Sequence, residues 1–308
     1  MTVPFVLALT TFSPDALNSA IAPSPRDRPP AAHLLLPDPA QTQSSRSSTH
    51  HQVRPDYPVP TIEFSPPMVQ SPRSGSQLFY QRLAALQSGR LYTRLPLDSF
   101  RAAWAGATRQ PTYEEWRWLM TREAAVVARG QGDNRLGVLV GDSLSLWFPS
   151  DRLPSYQLWL NQGLSGDTTD GILRRLPDFA NTRPDVIYVM AGVNDLKHGR
   201  SDSEILGNLR QMIYRLQQTH PQADIIVQSI LPTRSDRIPG ERIGWLNQQL
   251  ATIVGQSGAT YLDVYSAMAD EAGYMRPEMT TDGIHLSPQG YATWQTAILQ
   301  QERWMANR

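Results

Sequence analysis

In "RLGVLVGDSLSLWF", Arg135 to Phe148, a serine directly follows an apolar run. Near the other end of the chain, "TTDGIHLSPQGY" sets Asp282 three residues before His285. A serine hydroxyl is a poor nucleophile at neutral pH unless an imidazole, oriented by a carboxylate, takes its proton. Ser143, His285 and Asp282 supply those three types. The roles assign Nδ1–H of His285 to Asp282 and Nε2 to Ser143. Acyl transfer also requires donors aimed at the oxyanion that forms on the attacked carbonyl. Three are to hand: the backbone N–H of Ser143, the backbone N–H of Gly166 in "NQGLSGDTT", and the side-chain amide of Asn194 in "AGVNDLKHG". Gly166 has no Cβ, which suits close approach of its backbone to a ligand.

Taken singly, each residue has a plainer reading. Ser143 suits the N-cap of a helix that follows a strand, and Gly166 suits a turn before Thr168 opens the next helix. Asn194-Asp195 and Asp282-Gly283 are common turn pairs, and a lone histidine is more often structural than chemical. What favours chemistry is conjunction, because one reaction needs all five residue types. Asp142 is expected to brace the turn by hydrogen bonding, and His198 to lie near the Asn194 loop. His220, before Pro221, reads as a helix terminus where an imidazole suits the dipole. Trp147, Phe148 and Trp159 are read as packing residues rather than as an acyl pocket.

Such residues meet only if the fold gathers them. After Asn134, short apolar runs at 136–141, 156–161, 185–192, 223–230 and 259–264 alternate with helical patterns near 168–180, 203–219, 240–256 and 287–302. This alternation predicts an α/β domain with a five-stranded, mainly parallel sheet covered by helices on both faces. Chemistry in such sheets gathers in loops at the carboxyl ends of the strands. Ser143, Gly166 and Asn194 each follow one of the first three runs, and His285 comes after the fifth, so the four converge on one edge.

Together, "GDSLS" (141–145), "SGDTT" (165–169), "GVND" (192–195) and "DGIH" (282–285) resemble the four sequence blocks of the SGNH, or GDSL, hydrolases. The resemblance covers about residues 134–302. Its texture is most similar to the platelet-activating-factor acetylhydrolase-like and lysophospholipase-like esterases. It implies a three-layer α/β/α sandwich of the flavodoxin-like SGNH type. It also implies hydrolysis of an ester or thioester on Ser143, with Asp282 and His285 completing a triad, Ser143, Gly166 and Asn194 forming the oxyanion hole, and neither metal nor cofactor. The expected partner is a small-molecule, lipid or acyl-sugar ester; short acyl groups are preferred on that texture alone. A binding or scaffold module that retains the fold without turnover is the alternative. A nucleotide-binding domain is disfavoured, since neither G-x-x-x-x-G-K-[ST] nor G-x-G-x-x-G follows the first strand.

The rest of the chain bounds these expectations. Lys plus Arg equals Asp plus Glu at 28 each, which argues against a polyanionic partner such as nucleic acid. There is no cysteine, hence no thiol chemistry or disulfide. No run reaches the length of a membrane span. Residues 1–75 hold 14 of the 25 prolines and a Ser/Thr/Gln-rich tract, and are expected to be mostly disordered; His50 and His51 in that tract make a poor metal site. The first residues include an apolar stretch and Ala20-x-Ala22 but no basic start, so a cytoplasmic protein is the default expectation and export through that stretch as a leader the alternative. Residues 76–133 show helical spacing, including the capping-box pair Thr112 and Glu115, and are expected to pack on a main domain at 134–308. Trp116, Trp118 and Met120 are read there as core.

Overall fold

The computed structural model describes residues 70–307. The expectations placed on the first 69 residues, namely disorder, the His50-His51 pair and the leader, lie outside them. The five runs after Asn134 form β1 (Leu136–Gly141), β2 (Leu158–Gly163), β3 (Val186–Met190), β4 (Asp224–Gln228) and β5 (Thr260–Leu262). All pair in parallel, in the order β2-β1-β3-β4-β5. Helices cover both sides of the sheet, as an α/β fold of this kind requires of strands apolar on both faces. Every residue of β1, β2 and β3 is buried.

The order places a reversal of winding at β1, which lies between β2 and β3. A crevice opens outside the strand ends at such a point. Register levels the three loops that leave it: Gly141 pairs with Gly163 on one side and Met190 on the other. Ser143, Gly166 and Asn194 follow those three residues by two to four positions.

Among the described residues, three α-helices precede the sheet: α1 (Gly75–Gln87), α2 (Arg101–Trp104) and α3 (Tyr113–Gly130). The expected capping box forms, with Thr112 Oγ1 accepting from Glu115 N–H and Glu115 accepting from Thr112 N–H. Leu78 and Phe79 of α1 and Trp116, Leu119 and Met120 of α3 build a second core that includes Leu146 and Leu164. Trp118 does not join it and stands exposed on the outer side of α3. The buried Arg82–Glu123 ion pair ties α1 to α3, and Arg82 also donates to the Asn161 carbonyl of β2.

The later helices are α4 (Ser143–Leu146), α5 (Thr169–Arg175), α6 (Val193–Lys197), α7 (Asp202–Thr219), α8 (Gly240–Gln256) and α9 (Pro288–Ala306). Phe148 and Trp159 are fully packed in the main core, Phe148 edge-on to Tyr291 and Trp294. His220 is the C-cap of α7, at the helix end expected of it. It is buried and stacked flat on Phe179, and burial lowers its pKa, so it is a neutral packing ring rather than a charge at a helix end. No helix among the described residues is long and apolar enough to cross a membrane.

Candidate active site

β1 ends at Gly141 and the chain turns at once into α4. The N-cap of that helix is Asp142, whose Oδ1 accepts from Leu144 N–H at 2.9 Å. Ser143 is therefore not the cap but the first helical residue, and its hydroxyl is left for another partner. That partner is His285: Ser143 Oγ lies 3.2 Å from His285 Nε2 across 142 residues of sequence. His285 Nδ1 lies 2.7 Å from Asp282 Oδ2, the tautomer following from the acceptor on that side. The close packing of this turn is enforced at Gly163, where a Cβ would stand 2.2 Å from Leu146 N.

The His285 segment is a tight loop pinned before α9. Thr280 and Leu286 form an antiparallel bridge, and the His285 carbonyl accepts from Thr281 N–H and from Thr280 Oγ1–H. Gly283, at φ 92°, lets the loop reverse while its carbonyl accepts from Arg234 N–H at 2.7 Å. Asp282 Oδ1 accepts from the N–H groups of Ile284 and His285. Partial burial works against ionisation of Asp282, but the ring and backbone bonds from His285 and the Ile284 bond outweigh it and hold the carboxyl at about 2. Ser143 is buried, whereas the His285 and Asp282 side chains are about half exposed.

Gly166 adopts φ 79°, in the left-handed region, and a Cβ there would meet nothing within 4 Å. Its backbone thus faces open space. Asn194 enters from α6 and is largely buried, one amide proton going to the Asp167 carbonyl at 2.9 Å. Among the described residues, neither Ser143 N–H nor Gly166 N–H has a protein acceptor within hydrogen-bond distance.

Three buried carboxylates stand around these groups, and sequence reasoning singled out only Asp142. Burial raises the Asp142 carboxyl to about 7, opposed by the Leu144 N–H bond, and its Oδ2 has no partner. Burial also raises Asp167, against the pull of Arg175, and raises Asp195, against bonds from Thr169 N–H and Oγ1–H at 2.8 and 2.6 Å. A signal was present for Arg175. Positions 172, 175, 176 and 179 make one apolar face at helical spacing, and a charge on such a face demands a buried partner. Tyr113 of α3, which no motif or spacing places here, brings its hydroxyl to 3.4 Å from Asp167 Oδ1. His198 is exposed at the C-cap of α6. No group of three or more metal-ligating side chains gathers among the described residues.

Comparison with known proteins agrees with this architecture. The family model for the GDSL-like lipase/acylhydrolase family matches residues 128–293, more than half of the chain. Platelet-activating factor acetylhydrolase IB subunit alpha1 of Pongo abelii is 26% identical over 198 residues, covering 59% of this chain and 81% of that protein. Subunit alpha2 from Rattus norvegicus is 28% identical over 168 residues, covering 50% and 70%. A GDSL-like lipase from Bacteroides thetaiotaomicron superimposes with a TM-score of 0.53 at 21% identity, over 60% of this chain and 96% of that one, and so shares the fold. The chain belongs to the GDSL-like lipase/acylhydrolase family and is an ester hydrolase.

Proposed function

We propose that the protein is a serine esterase that works through an acyl-enzyme on Ser143. The observation that carries this reading is the relay of 3.2 Å from Ser143 Oγ to His285 Nε2 and 2.7 Å from His285 Nδ1 to Asp282. As Ser143 Oγ attacks the ester carbonyl, its proton passes to Nε2 of His285. Asp282 accepts from Nδ1–H and stabilises the imidazolium. The carbonyl oxygen becomes an anion facing the N–H groups of Ser143 and Gly166 and the second amide proton of Asn194. Collapse breaks the bond to the leaving alcohol, which takes the proton from His285. A water then gives a proton to His285 and attacks the acyl carbon; collapse breaks the bond to Ser143 Oγ, which takes that proton back from His285, and the acid leaves.

Short acyl esters, acetyl on a lipid or a sugar, are the proposed substrate class. The support is the name acetylhydrolase borne by the relatives. The test combines a fluorophosphonate probe with an ester series. Wild type is expected to label and Ser143→Ala not to. Equal labelling of both, or of neither, refutes the nucleophile and returns the fold to a binding role. Across p-nitrophenyl esters from acetate to palmitate, kcat/KM is expected to fall with chain length; a maximum at palmitate refutes the short-acyl assignment.

A further inference from the structure

Arg175 stands where helical spacing calls for an apolar side chain, and it is 1% exposed. Its guanidinium serves three acceptors on three different segments. Nε–H donates to Asp167 Oδ2 at 2.5 Å, Nη1–H to the Gln162 carbonyl at 2.6 Å and Nη2–H to the Gly141 carbonyl at 2.7 Å. The last two are the carbonyls at the ends of β2 and β1. Gly141 lies two residues before Ser143, and its carbonyl also accepts from Leu164 N–H of the next loop at 3.1 Å. Asp167 follows Gly166 directly, and its own carbonyl holds the Asn194 amide. Each of the three oxyanion donors named above is thus one hydrogen bond, or one or two residues, from a group that Arg175 or Asp167 holds.

The Asp167 carboxylate has little freedom. A Cβ at position 171 would stand 2.0 Å from its Oδ1, so the chain runs past it without a side chain. The Tyr113 hydroxyl donates to the same oxygen at 3.4 Å. A buried ion pair is a poor device for stability alone, because desolvation of two charges offsets most of their attraction. A fork that fixes three backbone and side-chain acceptors in one plane is a good device for geometry, and a lysine cannot reproduce it.

We infer that Arg175 and Asp167 are a positioning pair that sets the loops bearing Ser143, Gly166 and Asn194 at a fixed mutual spacing, so that their donors meet one oxyanion. The inference rests on the serine-esterase reading. It touches neither substrate nor the reacting proton, so its signature is loss of turnover without loss of binding.

The experiment compares Arg175→Lys and Asp167→Asn with wild type and Ser143→Ala at 20 °C, each shown to be folded by circular dichroism. The substrate is p-nitrophenyl acetate, and the rate of fluorophosphonate labelling is read alongside. The expected result is a ten- to hundredfold fall in kcat with KM within threefold, and a matching fall in labelling rate. A folded variant with kcat within twofold of wild type and a lower Tm alone overturns the pair, since a merely structural role moves only Tm. If neither variant folds, the pair belongs to folding and the inference is likewise overturned. Retained turnover in Ser143→Ala is the separate result that removes the esterase reading itself.

Discussion

At the scale of residues, the site separates two kinds of carboxyl group by environment. Asp282 accepts three hydrogen bonds and stays ionised down to about pH 2, so it remains an acceptor for the His285 ring across the neutral range. Asp142 has the opposite character. Its carboxyl is held at about 7 by burial, above an ordinary value of 3.8, so between these the folded state binds more protons than the unfolded one. Stability from this group is therefore fully present below about pH 4 and is lost as pH rises through about 7. Asp142→Asn keeps the acceptor for Leu144 N–H and removes the titration. It should stabilise the fold more at pH 8 than at pH 5, by a differential on the order of 2–4 kcal/mol in unfolding free energy, readable by urea denaturation at the two pH values. Asn194→Ala should lower kcat by about 10²–10³ while Tm moves little, as loss of one oxyanion donor does.

At the scale of elements, the short helix α4 and the loop after β2 rest on helices outside the segment that the family model matches. Leu146 of α4 and Leu164 of that loop pack with Leu119 and Met120 of α3 and with Phe79 of α1. Leu119 is wholly buried there. Leu119→Ala is expected to cost about 2–5 kcal/mol by urea denaturation, and to lower the temperature at which activity is lost in step with the loss of fold. Gly163→Ala tests the approach between β2 and α4 directly. Its methyl would displace the Leu146 backbone and with it Ser143, so kcat should fall even where the variant remains folded. The elements themselves were legible because short continuous apolar runs and helical patterns of period 3.6 alternate after Asn134. Their ends were less so: the second strand begins two residues later than the apolar run suggests, since Tyr156 turns outward to bond Glu302 and Gln157 precedes the first ladder pair.

At the scale of the whole molecule, the parallel order β2-β1-β3-β4-β5 turns chain distance into proximity. β-α alternation requires every strand to end on the same edge, and the strand order then makes the loops after β1, β2 and β3 neighbours. The sequence by itself therefore determined the fold class, the edge on which chemistry collects, and the residue types gathered there. Tertiary structure alone decided what the local pattern left open. It made Asp142 rather than Ser143 the cap of α4, because the carboxylate reaches Leu144 N–H while the hydroxyl faces His285. It buried the His220 ring at its helix end, stacked on Phe179 as a neutral packing group. It also joined Tyr113, Asp167 and Arg175 into one cluster from three segments. Those outcomes depend on which buried polar group finds which partner. Burial makes an unpaired charge costly, so partners are chosen by three-dimensional reach, which no spacing along the chain encodes.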